Sequence, residues 1–175
     1  SCPYECQKAR IVVQEMTDSL AFRLFDQGLT AGSLTLSIGY DRANCDNGSY
    51  HGEIHIDHYG RRVPKGAHGT IRLDPPSNLA SRLIGSALAL FDQIINPSLF
   101  VRRITITANK VLRDNGIWQM DLFTDTEKLE KEKRLQASMS EIRKRFGKNA
   151  VLKGTSFLDG ATMRERNGQI GGHKA

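Results

Sequence analysis

Strict two-residue alternation of apolar and polar side chains is the feature that most limits what this chain can fold into. From Ser33 to Tyr40, every second residue is a leucine, isoleucine or tyrosine, and the residues between them are serine, threonine or glycine. His68 to Leu73 alternates in the same way, as does Arg103 to Asn109 within the predicted strand Val101 to Val111. This period is typical of half-buried strands, so the sequence predicts a β-sheet with one apolar face.

Two stretches with helical periodicity accompany these strands. Apolar residues recur at three- and four-residue spacing from Glu5 to Gln27, before Gly28, and again from Leu79 to Ile94. The run Asp74-Pro75-Pro76-Ser77 is expected to break the preceding strand, and Ser77 is the predicted cap of the second helix. Together with a further strand predicted at His51 to His58, the order is helix, three or four strands, helix, strand. The predicted fold class is α+β, an antiparallel sheet with two helices on one face.

The chain changes character after residue 113. We expect one folded domain at 1–113, a linker at 114–125, a charged helix at 126–147 and a flexible, basic, Gly-rich tail at 148–175. In the charged helix only Leu135, Met139, Ile142 and Phe146 form an apolar seam. That seam predicts either docking on the domain by one narrow edge or a coiled-coil partner.

The polar face of the predicted sheet is the first candidate site. Both helices can cover only the apolar face, so hydroxyl and arginine side chains are left on the other, next to the basic segment Arg61 to Lys65. Such donors suit phosphate oxygens, although an ordinary solvated sheet face also favours threonine. The predicted DNA-binding residues are Thr35, Ser37, Arg61, Arg62, Lys65, Thr70, Arg72, Arg103, Thr105, Thr107 and Asn109.

Charge and composition are compatible with that reading. The net charge of +6 and the pI near 9.4 suit a polyanionic partner. No apolar run approaches the ~20 residues of a membrane span. No signal peptide is recognised, and the three cysteines do not suggest a disulfide framework, so we expect a cytoplasmic protein without a membrane partner. No Cys/His tetrad, Cys–His pair or strand-borne carboxylate pair stands out, which predicts no metal site and no catalytic residue in this stretch.

The pentapeptide Gln119-Met120-Asp121-Leu122-Phe123 is the second candidate site. Its amide can donate and accept hydrogen bonds, and its apolar residues can fill adjoining pockets of a partner. It resembles the motif by which bacterial polymerases and repair proteins hold the sliding clamp, with Gln119, Met120, Leu122 and Phe123 as the predicted contacts. The alternative is an edge strand that docks on its own domain.

Four stretches of the sequence resemble the C-terminal part of bacterial Y-family translesion DNA polymerases. The last of them is similar to the end of the SOS-type, Gram-positive-like subgroup. They are Ser37 to Asp41, Tyr59 to Thr70, Val101 to Ile104, and Ala161 to His173. In that family this region is the little finger, which lays its sheet in the DNA major groove.

The resemblance implies a role for the polar face in gripping primer–template DNA during translesion synthesis and DNA repair. It also implies that the catalytic palm, with its magnesium ions, lies outside this chain. This chain alone is then expected to be inactive and without cofactors, while the parent is a DNA polymerase, a nucleotidyltransferase of the SOS response to DNA damage. The expected partners are duplex DNA, the sliding clamp, and the palm and fingers of the parent.

Two alternatives remain open from the sequence. A free-standing nucleic-acid-binding or scaffolding module would share these features, and the parent reading frame distinguishes it from a polymerase. The family's little finger also begins with a strand, of which Ser1 to Tyr4 is only a stub. We expect the vacant place in the sheet to be filled by Ile117 to Phe123 or by a neighbouring chain.

Overall fold

A three-stranded antiparallel sheet with two helices on one face forms the centre of the protein in a computed structural model. The structure describes residues 4–46, 50–114, 126–170 and 173–174. Its elements are α1 (Cys6–Asp26), β1 (Leu29–Tyr40), β4 (Ala67–Ser77), α3 (Ala80–Ile94) and β5 (Val101–Asn109). Strand β1 is central and pairs with β4 on one side and β5 on the other. The helices that cover the sheet are α1 and α3. The predicted fold class is confirmed.

Smaller elements complete the described part of the chain. They are α2 (Ala43–Asp46), β2 (Ile54–Ile56), β3 (Arg62–Pro64), β6 (Leu112–Arg113), α4 (Thr126–Phe146), a 3-10 turn (Gly154–Phe157), α5 (Met163–Asn167), β7 (Gln169–Ile170) and β8 (His173–Lys174). β2 and β3 form a short hairpin before β4, and β6 extends the pairing of β1 near its start. The long, charged helix α4 is followed by the 3-10 turn and by α5.

The predicted alternation fixes which face of the sheet meets the helices. Leu34, Leu36 and Ile38 of β1 are at most 2% exposed, and they belong to one core with Leu83 and Phe91 of α3. The intervening residues of β1 and β5 point away from this core. The hydrophobic effect therefore holds the polar residues together on the opposite face.

Gly69 allows a close approach between the sheet and α3. A Cβ atom at this position would lie 2.8 Å from Cδ1 of Leu90 and 3.1 Å from Cγ2 of Ile94. Contacts that short displace the neighbouring side chains. The absence of a side chain here lets α3 pack directly on β4.

The prediction that the two prolines end the strand is wrong. β4 continues through Pro75 and Pro76, and Ser77 pairs with Ala31 of β1. The register shifts between Ala31 and Ser33, so the prolines occupy the irregular part of the pairing. β4 is also at the edge of the path β4-β1-β5. Proline is tolerated at edges and bulges because no ladder hydrogen bond from its nitrogen is required there.

The predicted cap of α3 is also wrong, because another helix supplies the acceptors. Ser77 accepts a hydrogen bond from the amide of Leu79, one residue before the helix begins. The amide of Ala80 donates to Oε1 of Gln136 at 3.1 Å, and the amide of Ser81 donates to Glu132 at 3.0 Å. α4 therefore satisfies the first amides of α3 with its own side chains.

α4 docks by a polar edge rather than by the apolar seam we expected. Gln136 and Ser140 are buried, and Ser140 is hydrogen-bonded to Asp26 of α1. By contrast, Leu135 is 60% exposed and Phe146 is 74% exposed. The docked edge and the apolar seam are thus two different sides of the helix.

The tail is folded against α1 over its described residues, whereas its composition predicted mobility. Glu15 of α1 is 1% exposed and accepts hydrogen bonds from the amides of Thr162 and Met163, at 2.7 and 2.9 Å. Lys153 lies 2.6 Å from the buried carboxylate of Asp18. Charged groups on α1 therefore attach the tail.

The stub of the family's first strand lies at the edge of the sheet. Tyr4 and Val101 exchange two backbone hydrogen bonds of 2.8 Å, next to β5. Among the described residues, β4, β1 and β5 are paired without a gap, and Tyr4 lies beside β5. Residues 117–123, which we expected to fill the vacancy, lie outside the residues that the structure describes.

Candidate nucleic-acid interface

The open face of the sheet is ordered in three rows of three side chains. We use the term open face for these rows together with Arg103, which pairs with Gly39 at the end of β1. The strand register places each row across β4, β1 and β5. The rows are Arg72–Ser33–Asn109, Thr70–Thr35–Thr107 and His68–Ser37–Thr105. The predicted strand residues are thus brought onto one surface.

Hydrogen bonds join the centre of the open face across all three strands. The hydroxyls of Thr35 and Thr70 are 2.8 Å apart, and the amide of Asn109 donates to Thr35 Oγ1 at 2.8 Å. The two threonines share one hydrogen between them, so one O–H of the pair can still donate to another acceptor. This arrangement offers a fixed donor without a bulky side chain.

The third row contains a residue that our sequence reasoning missed. His68 is exposed, and its Nδ1 lies 2.8 Å from Oγ of Ser37. Because the ring is anchored through one nitrogen, the other is available to a ligand. The same alternation that selected Thr70 and Arg72 could have identified His68.

The two arginines stand at opposite corners of the open face. Arg72 is on β4 in the first row, and Arg103 is on β5 beyond the third. Three steps of two residues separate their rows, which is about 20 Å along the strands. Arg72 lies 3.8 Å from Asp74, and both side chains are well exposed. Arg103 is exposed and forms no ion pair with a residue that the structure describes.

The hairpin carries the remaining predicted cations, and two of them are already paired. Arg61 lies 2.7 Å from Asp57, and Lys65 lies 2.8 Å from Glu53. The hydrogen bonds from Arg61 lower the pKa of the Asp57 carboxyl to about 2. Asp57 in turn raises the pKa of Arg61. Arg62 is exposed. Exposed ion pairs are weak, so Arg61 and Lys65 can exchange these partners for phosphate at small cost.

The second predicted site cannot be placed. Gln119, Met120, Leu122 and Phe123 lie outside the residues that the structure describes. Their role as clamp contacts stays a prediction that is based on the sequence.

Metal-binding clusters and membrane-spanning helices were both sought among the described residues. In 4–46, 50–114 and the described residues from 126 onward, no three His, Cys, Asp or Glu side chains are grouped closely enough to hold a metal ion. No helix in that part of the chain is both long and apolar enough to cross a membrane.

Comparison with known proteins identifies the family. The profile of the impB/mucB/samB family C-terminal domain matches residues 4–122. The chain belongs to this family. The predicted resemblance to the C-terminal region of Y-family polymerases is thereby confirmed.

Three curated relatives come from Bacillus-type organisms. A protein of Bacillus subtilis (strain 168) that is named for UV-damage repair, UvrX, is 24% identical over 169 residues. That match covers 97% of this chain and 35% of UvrX. DNA polymerase IV 2 of Halalkalibacterium halodurans is 26% identical over 111 residues, and DNA polymerase IV 2 of Bacillus subtilis (strain 168) is 29% identical over 110 residues. Each of these two matches covers 63% of this chain and 26% of the relative.

The family profile and the UvrX match cover different lengths of this chain. The chain spans between about a quarter and about a third of the length of these relatives. The family profile ends at residue 122, before α4, whereas the UvrX match covers all but a few residues and so includes α4 and most of the tail. α4 and the tail are therefore an addition to the family domain that UvrX shares.

Proposed function

We propose that this chain grips duplex primer–template DNA through the open face of its sheet, as part of a DNA polymerase that acts in translesion synthesis and DNA repair. The observation that carries the proposal is the arrangement of hydroxyl, amide and guanidinium donors in rows on the face of the sheet that the helices leave uncovered. The exposed members of these rows and their margin are Thr70, Arg72, Arg103, Thr105 and Thr107. These groups donate to phosphate oxygens without a requirement for a particular base. Family membership and the names of the relatives support the same role.

The dimensions of the open face suit the major groove. Three strands at about 4.8 Å spacing are about 10 Å wide, and the groove is about 12 Å wide. Arg72 and Arg103, at opposite corners, can each approach one of the two phosphate backbones that border the groove. The small hydroxyls between them allow close approach of the sheet. Arg62 on the neighbouring hairpin extends the positive surface.

Fluorescence anisotropy with two duplexes of unrelated sequence tests this proposal. The Arg72→Ala/Arg103→Ala variant should bind both duplexes about tenfold more weakly or worse, because two guanidinium groups that reach phosphate are removed. The matched control is Arg23→Ala/Arg134→Ala, which removes the same charge from α1 and α4, away from the open face. Thermal unfolding verifies that all proteins are folded.

Each outcome of that experiment is informative. A reduction in affinity confined to the first variant, and equal for the two duplexes, supports a sequence-tolerant grip by the open face. Equal weakening in the control would mean that only net charge matters, and the open face would then have no special role.

We also propose that Gln119, Met120, Leu122 and Phe123 tether the parent protein to the sliding clamp. The support is the sequence alone: an amide followed by a spaced Leu-Phe pair, in a stretch that directly precedes α4. A polymerase that holds DNA through phosphate contacts dissociates readily, and a second attachment raises its effective concentration at the primer end.

The remaining functional proposals concern the parent protein. We propose that its palm and fingers carry polymerase activity with magnesium, and that this chain contributes binding but no catalytic group. The relatives named DNA polymerase IV 2 support this assignment. The alternative is a free-standing nucleic-acid-binding or scaffolding module. Primer extension by the full-length parent, and none by the 175-residue chain, is the expected result that separates the two.

A further inference from the structure

The turn between β2 and β3 presents an aromatic ring to solvent. Tyr59 stands in this turn and is 77% exposed. Gly60 follows it with a φ of +74°, a conformation that favours glycine, so the chain reverses directly behind the ring. Single exposed apolar side chains are common on protein surfaces, so the exposure alone indicates nothing. The way in which the turn holds this ring is what points to a binding site.

Asp57 holds the turn in one conformation. Its Oδ1 accepts hydrogen bonds from the amides of Tyr59 and Arg61, both at 2.9 Å. Its Oδ2 accepts a hydrogen bond from Nε of Arg61 at 2.8 Å and lies 2.7 Å from Nη2 of the same residue. The backbone closes the same turn, because the amide of Gly60 donates to the carbonyl of Asp57 at 3.0 Å. The ring is therefore carried by a preformed turn, which a ligand does not have to order.

The Tyr59 ring has a guanidinium group over one of its faces. The central carbon of Arg61 lies 4.7 Å from the ring centroid. The ring of His58 is 5.5 Å away at an angle of 73°, so it does not stack flat on Tyr59. Because Tyr59 is 77% exposed, the face away from Arg61 is accessible. An accessible aromatic face with a cation behind it suits a second flat group, such as a nucleobase.

The charge left unpaired around this turn is positive. Each carboxylate of the hairpin has a basic partner, and so does the carboxylate that precedes α2. These pairs are Asp57–Arg61, Glu53–Lys65 and Asp41–Arg102. Arg42 and Arg62 are exposed and form no ion pair with a residue that the structure describes, and the exposed Asp46 of α2 balances one of the two. A strand that alternates flat bases with phosphates matches a ring beside a free cation.

The hairpin joins the sheet at the third row of the open face. Gly66 lies against the end of β1, where a Cβ atom would be 2.7 Å from the carbonyl oxygen of Ile38. β4 begins at the next residue, and His68 belongs to the third row. From Lys65 to Tyr59 the chain spans at most about 20 Å. A strand that leaves a duplex at this end of the open face is therefore within reach of the Tyr59 ring.

We propose that the turn between β2 and β3 binds an unpaired nucleotide of the template strand, with its base stacked on the accessible face of Tyr59 and its phosphate near Arg62. The proposal rests on the proposed function, since a duplex on the open face brings the strand to the turn. Every base has a flat face, so this contact tolerates any sequence. The open face then grips the paired part of the DNA, and Tyr59 recognises the unpaired part beside it.

Three DNA ligands test this site by fluorescence anisotropy with the 175-residue chain. They are a blunt duplex, the same duplex with a template overhang of about ten thymidines, and the same duplex with an overhang of equal length made of abasic nucleotides. The thymidine overhang should bind about fivefold to tenfold more tightly than the blunt duplex. The abasic overhang keeps the phosphates but offers no base to stack, so it should gain about twofold or less.

Variants of Tyr59 separate the ring from its hydroxyl. Tyr59→Ala should remove the advantage of the thymidine overhang, and Tyr59→Phe should keep it, because the ring still stacks. The matched control is Phe157→Ala. Phe157 is 65% exposed and also lies under a guanidinium group, that of Arg164 at 5.5 Å, but it belongs to the 3-10 turn of the tail. This control should bind all three ligands as the wild type does. Thermal unfolding verifies that the variants are folded.

This proposal and the grip by the open face fail separately. The open face is tested on the blunt duplex with Arg72→Ala/Arg103→Ala, whereas Tyr59 is tested by the ratio of overhang to blunt affinity within one protein. Tyr59→Ala should bind the blunt duplex as the wild type does. An overhang advantage that survives in Tyr59→Ala, or that is equally large for the abasic overhang, would overturn the stacking proposal and assign the gain to phosphate contacts alone. Equal weakening of all three ligands by Tyr59→Ala would overturn it too.

Discussion

Replacement of Glu15 by alanine tests how the tail is attached to the domain. One carboxylate oxygen of Glu15 accepts the amides of Thr162 and Met163, and Arg166 lies 3.6 Å from the same oxygen. Charge-assisted hydrogen bonds contribute about 1.5–3 kcal/mol each. Their removal from a buried site also leaves Arg166 without its counter-charge, and burial lowers the pKa of this guanidinium.

The size of the effect is limited by detachment of the tail. Once the hydrogen bonds to Glu15 are gone, residues 161–167 can separate from α1 and hydrate their polar groups. We therefore expect Glu15→Ala to lower the free energy of unfolding by about 3 kcal/mol, the value of two charge-assisted bonds, and not by the larger sum of all interactions. For a chain of this length, each kcal/mol corresponds to a fall in melting temperature of about 2–4 °C.

Urea unfolding and amide hydrogen exchange measure the two parts of this prediction. Exchange should accelerate at Thr162 and Met163 more than in the sheet. Glu130→Ala, which changes an exposed helical glutamate paired with Arg134, is the matched control and should change stability by less than about 0.5 kcal/mol. If Glu15→Ala behaved like this control, with unchanged exchange at Thr162 and Met163, the attachment of the tail through Glu15 would be refuted.

Three further predictions concern other parts of the chain. Gly69→Ala should lower stability by about 1–3 kcal/mol in thermal unfolding, because its Cβ would meet Leu90 at 2.8 Å; no change would mean that α3 packs less closely than the structure shows. The pKa of Asp57 is depressed to about 2. Its ionised form therefore stabilises the hairpin above the usual carboxyl pKa, and this stabilisation is lost as the pH falls from about 4 to about 2. NMR titration should detect the loss in the wild type and not in Asp57→Asn. A peptide of residues 117–125 should bind the purified clamp near 1 µM, about −8 kcal/mol, and Leu122→Ala/Phe123→Ala should abolish binding in calorimetry; equal binding by both peptides would remove this segment as a tether.

The sequence predicts the sheet and its two faces well because alternation reports burial directly. Leu36 and Ile38 are buried where the pattern places them, and Thr35 and Ser37 point to the open face. Each residue of a strand has only two orientations, so a clear alternation decides between them. The pattern could not reveal that β4 is an edge strand, which is why Pro75 and Pro76 were misread as its end.

The sequence predicts α4 and the tail less well because their contacts depend on distant polar groups. An apolar seam suggests a docking side, but the amides at the start of α3 need acceptors, and Gln136 satisfies that need. The composition of the tail does not show that Glu15 and Asp18 lie buried on α1 and require cations. Polar groups of this kind become buried, and so require hydrogen-bond or charge partners, only after the other elements have packed.

The salt dependence of duplex binding tests the central claim, that the open face grips the phosphate backbone. The logarithm of the binding constant should fall linearly with the logarithm of salt concentration. The slope should decrease by about 1.8 in Arg72→Ala/Arg103→Ala, at about 0.9 for each phosphate that is no longer neutralised. Thr70→Val/Thr107→Val should weaken binding without a change of slope, because hydroxyls release no counterions. A slope that stays the same in the arginine variant, or that falls equally in Arg23→Ala/Arg134→Ala, would contradict a phosphate grip by the open face.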